Sequence, residues 1–146
     1  MYSTIRGVGA LIYAKDTDRF LFLLRNGKKF DGSWGLVGGK IDDKETAGKA
    51  LIREIKEEIN LTLTEEKIIP LDTFTSTNKK FLFYTYLLII ENEFMPKLNE
   101  EHKGYCWCYL EDHPKPLHPG LHVTFRTNDV KQKIITAKNN FKIIAV

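Results

Sequence analysis

The spacing of apolar and polar positions along this chain changes period several times, and each change marks an element. Ile5 to Ala14 and Arg19 to Leu24 are short apolar runs separated by Asp16-Thr17-Asp18, which predicts two strands joined by a turn. Asn26-Gly27-Lys28-Lys29 predicts a loop. In the second half of the stretch from Gly38 to Leu61 the period becomes helical. Leu51, Ile52, Ile55 and Ile59 fall in one sector at about 100° per residue and form an apolar face. Lys67 to Thr75, Phe81 to Ile90 and Gly104 to Leu110 predict three further strands, the first two joined through Asn78-Lys79-Lys80. Asn92 to Asn99 is a polar loop, and His113 to Gly120 is a proline-rich linker unsuited to a helix or a central strand. One amphipathic helix is expected to follow, with Asp129 near its start, Val130, Ile134, Ile135 and Ala137 on its apolar side, and Asn139-Asn140 at its end. Strands around one long helix, with another near the C-terminus, make a mixed α+β domain.

The helix of the Gly38 to Leu61 stretch carries a second pattern. Glu54, Glu57 and Glu58 stand at i, i+3 and i+4, in one sector with Ala47 and Ala50. Like charges at this spacing repel, and glutamates near a helix C-terminus oppose the macrodipole. A divalent cation resolves both conflicts, and carboxylate oxygens on a rigid element suit Mg²⁺ or Mn²⁺. The alternative is a solvated charged face. The single sign of the charge, the small flanking residues and the preceding glycine pair favour the cation.

These residues resemble the Nudix box. Gly39, Glu45, Arg53, Glu54, Ile55, Glu57, Glu58 and Leu61 stand at its spacings, and Asn60 replaces its last glycine. Asparagine is the next best residue for the left-handed turn that ends a helix. Val37 stands where the family commonly has proline. The resemblance implies a MutT-like Nudix hydrolase with an α/β/α sandwich and a mixed central sheet, covering 1–146 as a single domain.

The resemblance also implies roles for individual residues. Glu54, Glu57 and Glu58 would hold Mg²⁺ or Mn²⁺ with the Gly38 carbonyl, and Glu45 would pair with Arg53 as a structural clamp. Glu101, six residues before Trp107, resembles the extra metal-binding glutamate that many members supply from outside the box, with Glu100 as the rival. Glu54 is chosen as the base or water-orienting group, a point on which the family is not uniform; Arg53 and Glu57 complete the catalytic set. Gly39 would approach the substrate. Arg25 is either a solvated residue at a strand end or, as in the family, a phosphate contact. Trp34 is assigned to the core or rim. His118 and His122 are left out of the catalytic set.

With 146 residues, 42% of them hydrophobic, the chain can bury a single core. A net charge of +3 suits a small anionic ligand and gives no sign of nucleic-acid binding. The longest apolar run, Phe81 to Ile90, is interrupted by Thr85 and too short to cross a bilayer. With no charged-then-apolar leader, a cytoplasmic location is expected. Cys106 and Cys108 would share one strand face as packing residues, opposite Tyr105, Trp107 and Tyr109.

The expected reaction is hydrolysis of a nucleoside diphosphate linked to another group X. The alternatives are a nucleoside triphosphate pyrophosphohydrolase and a non-catalytic nucleotide-binding module. Subfamily markers do not choose the substrate. Homodimerisation is compatible with the family and is not readable from the chain.

Overall fold

The computed structural model describes residues 4–27, 29–126 and 128–140. Its strands are β1 (Ile5–Ala14), β2 (Arg19–Arg25), β3 (Trp34–Gly35), β4 (Val37–Lys40), β5 (Ile69–Thr75), β6 (Phe81–Ile90) and β7 (His102–Cys108). Its helices are α1 (Ala47–Ile59), α2 (Pro119–Phe125) and α3 (Asn128–Asn140). β1 lies at the centre, parallel to β6 over its full length and antiparallel to its other neighbours. Its other edge is shared. Gly7 to Ala10 pair with β4, and Ile12 to Ala14 pair with β2. β2 in turn carries β3 and β7, and β5 completes the sheet beside β6.

A central strand buried on both faces reads as an almost unbroken apolar run, and β1 is one. Val8, Ala10, Ile12 and Ala14 join Leu51, Ile55 and Ile59 of α1 in one core. Leu11 and Tyr13 join Leu121, Phe125, Val130 and Ile134 in the other. The sheet thus lies between helices, the mixed α+β sandwich that the resemblance implies. Cys106 and Cys108 pack toward α2 and α3, and Tyr105 and Trp107 toward α1, as strand alternation requires. Trp34 is half-buried against the second core.

Several boundaries differ from those read in the sequence. The strand expected from Lys67 begins at Ile69, after a 3₁₀ turn over Glu65–Lys67. Pro70 has no N–H for the ladder, and the register slips between Pro70 and Asp72 on what is an edge strand. The strand expected over Gly104 to Leu110 starts earlier and ends at Cys108, before a 3₁₀ turn at Leu110–Asp112. The C-terminal segment holds two helices where one was expected. Pro119 opens α2, at the helix start where a missing N–H costs nothing. Ile135, placed on the apolar side of α3, is half exposed, whereas Val130, Ile134 and Ala137 are buried. Among the described residues, no helix is long and apolar enough to cross a membrane.

Candidate active site

The site begins with how α1 is fixed. Thr46 caps its N-terminus, the Oγ1 accepting the Lys49 N–H at 3.2 Å. Asn60 ends it in the left-handed conformation at φ 57°, its N–H donating to Lys56 O. Arg53 ties the helix to the preceding loop. Its Nε and Nη2 donate to the two oxygens of Glu45 at 2.8 Å each, and Nη2 also reaches Lys40 O at 3.1 Å. Its Nη1 donates to Glu54 Oε1 at 2.8 Å. Arg53 and the backbone N–H of Asp42 hold the Glu45 carboxyl down to about 2.

β4 lies against α1 at the glycine pair. A Cβ on Gly38 would meet Val8 O at 2.0 Å, so only glycine lets β4 come so close to β1. A Cβ on Gly39 would meet the Glu54 carboxylate at 2.7 Å. The Gly38 N–H donates to Glu58 Oε1 at 3.1 Å.

Glu54, Glu58 and Glu101 offer oxygens that lie within 4.8 Å of one another. Glu54 and Glu58 are buried, Glu58 to 1% exposure, while Glu101 reaches in from the loop before β7. Burial, followed by the hydrogen bond shared with Glu54, pushes the Glu58 carboxyl up to about 10. Crowded carboxylate oxygens of this kind suit a hard divalent cation, so these donors fit the metal dependence that the resemblance implies. Glu57 is not brought into this cluster. Its side chain is more than half exposed and meets Arg53 Nη1 at 3.5 Å. Glu100, the rival of Glu101, is exposed and lends its backbone carbonyl to Asn26.

Beside Gly38 and Gly39 opens a cleft of about 690 Å³. One end carries Arg25, Lys29, Phe30 and His118, and the other carries Phe74, Phe81 and Phe83. Arg6 and Lys40 also line it, and among the described residues no carboxylate does. Gly7 and Gly9 make the floor, where a Cβ would meet the Phe83 ring at 2.8 and 3.0 Å. Phe30 packs edge-on against His118 at 4.6 Å and holds φ at 57°, a strained value for a bulky residue. The His122 side chain lies outside the described residues.

The sequence did not single out the three phenylalanines, Lys29, Phe30 or His102. The signal for the cleft was the glycine pair at 7 and 9 inside a strand, which marks close approach to that backbone.

A family model described as the NUDIX domain matches residues 3–127. The chain is 31% identical over 121 residues to the dihydroneopterin triphosphate diphosphatase of Haemophilus influenzae, over 73% of this chain and 75% of that protein. It is 31% identical over 93 residues to the nucleoside triphosphatase NudI of Escherichia coli, over 57% of this chain and 66% of that one. The solved MutT NUDIX hydrolase of Burkholderia pseudomallei superposes with a TM-score of 0.71 at 26% identity, over 86% of this chain and 98% of that one. Carboxylates gathered on one helix beside a glycine pair, with a sheet between helices, define a hydrolase of the pyrophosphohydrolase class. The chain belongs to the Nudix family.

Proposed function

We propose that this protein hydrolyses a phosphoanhydride bond in the triphosphate of a nucleotide-type ester, with Mg²⁺ or Mn²⁺ held by Glu54, Glu58 and Glu101. The observation that carries this reading is the convergence of those carboxylates beside a cleft with a cationic end and an aromatic end. Both named relatives are, by their names, hydrolases of triphosphates. Arg25 and Lys29 would bind the phosphates, and the phenylalanine end would seat a planar ring.

When bound, the cation supplies positive charge to the phosphate oxygens and lowers the pKa of water. The chain supplies position. Arg53 holds Glu54 through Nη1, and Glu54 orients the attacking water and takes its proton. The water oxygen bonds to phosphorus, the bridging P–O bond breaks, and the leaving phosphate keeps the electron pair. Gly39 leaves the Glu54 carboxylate uncovered, where a Cβ would press on it at 2.7 Å.

A nucleoside diphosphate linked to another group X is the second reading, favoured by the two ring-bearing ends of the cleft at Phe30–His118 and Phe74–Phe81–Phe83. A panel of pterin and nucleoside triphosphates, ADP-ribose, diadenosine polyphosphates and a nucleotide sugar, assayed with Mg²⁺ and Mn²⁺, separates the two. Preference for the triphosphates is expected. Turnover confined to diphosphate-linked compounds selects the second reading, and Mn²⁺ binding without any turnover returns the chain to a nucleotide-binding module.

A further inference from the structure

His102 is only 7% exposed, and its Nδ1 has no hydrogen-bond partner. Leaving such an atom unpaired in the interior is costly, so its position needs a reason. Strict alternation along β7 would send His102 to the side of Cys106 and Cys108, away from α1. The ladder does otherwise. Gly104 pairs with Leu24 and His102 with Arg25, so Lys103 is the extra residue of a bulge. A bulge re-aims the side chains beyond it, and this one turns His102 onto the face of α1. There Nδ1 stands 3.8 Å from Glu58 Oε1, the same oxygen that accepts the Gly38 N–H at 3.1 Å.

We propose, resting on the metal-dependent reading above, that His102 is a positioning residue whose Nδ1–H donates to Glu58 Oε1 when Glu58 holds a divalent cation. Oε1 then accepts two fixed donors, Gly38 and His102, and the second oxygen stays available to the cation. Reaching a normal hydrogen-bond length of about 2.9 Å takes a shift of less than about 1 Å. Donors of this kind orient carboxylate ligands, and losing one typically costs 10–100-fold in metal affinity. The gap at His102 is thus an interaction held ready for the loaded site.

The test is a Mn²⁺ titration of the full chain followed by electron paramagnetic resonance, for wild type, H102L, H102N and H102Q. The asparagine amide can stand where Nδ1 stands, so H102N is expected within about threefold of wild type. H102L is expected to bind about 10–100-fold more weakly while melting no lower without Mn²⁺, because it removes an unpaired polar atom. H102Q, whose amide sits one carbon too far, is expected to resemble H102L, and it carries the comparison if H102L does not fold. Wild-type affinity in H102L or H102Q overturns the proposal, as does H102N binding as weakly as H102L. Nitrogen coupling to Mn²⁺ in the wild-type spectrum also overturns it, by making the imidazole a ligand. A wild-type chain that binds no Mn²⁺ removes the metal reading itself, an outcome distinct from all of these.

Discussion

Arg53 grips both oxygens of Glu45, eight residues earlier in the loop before α1, at 2.8 Å each. The same guanidinium reaches Lys40 O and Glu54, so one side chain joins β4, the loop before α1, and the site. Lysine cannot reproduce a two-pronged contact of this kind. R53K is expected to keep the fold and lose at least about tenfold in kcat, because Glu54 is no longer held in place. Steady-state kinetics beside a thermal melt would check it.

The same pair sets an acid limit on stability. The Glu45 carboxyl sits at about 2, below its unfolded value of roughly 4.3. Its contribution is therefore fully present above the unfolded value and is lost as pH falls toward the folded one. Urea midpoints of the wild type should fall between about pH 4.5 and 2 more steeply than those of E45Q. Equal slopes would remove Glu45 as the source.

Removing a carboxylate from the cluster should remove the metal. Mn²⁺ is expected to raise the melting temperature of the wild type by mass action and to leave that of E58Q unmoved. Hydrolysis should stop with EDTA and fall at least about a hundredfold in E58Q. E57Q, changed at an exposed position outside the cluster, should lose less. A larger loss in E57Q than in E58Q would move the site one residue along the helix.

Gly38 and Gly39 should fail differently when substituted. G38A forces a methyl group against Val8 O and Gly9 Cα, backbone that cannot give way. A cost of about 1–3 kcal/mol in stability is expected, read from denaturant unfolding. G39A meets only the end of the Glu54 side chain, so it should fold normally and lose activity.

The two ends of the cleft are separable by kinetics. R25A should lower kcat/KM about 10–100-fold for every phosphate substrate tested, as expected for loss of a charge-assisted hydrogen bond. F83A should raise KM most for substrates with a planar ring and little for inorganic polyphosphate. Equal effects of F83A on both would detach the aromatic end from substrate binding.

What the sequence determined by itself is local. The helix that carries Glu54, Glu57 and Glu58 and its end at Asn60 follow from spacings of a few residues, which helical geometry converts directly into neighbours; Glu45 meets Arg53 from the loop before that helix. The central strands follow from their apolar runs. Tertiary structure decided everything that depends on pairing between distant segments. It turned Glu58 inward and Glu57 outward, although both fit the acidic stripe equally well. It brought Glu101 and His102 to α1 through the β2–β7 ladder and a bulge that no local pattern announces. It set Phe83 over Gly7 and Gly9, with Phe81 beside Phe83 and Phe74 beside Phe81, because β5, β6 and β1 are neighbours in the sheet. Helix periodicity reaches only a turn or two along the chain, whereas a cleft is built from strand register, and register is set by the packing of the whole sheet.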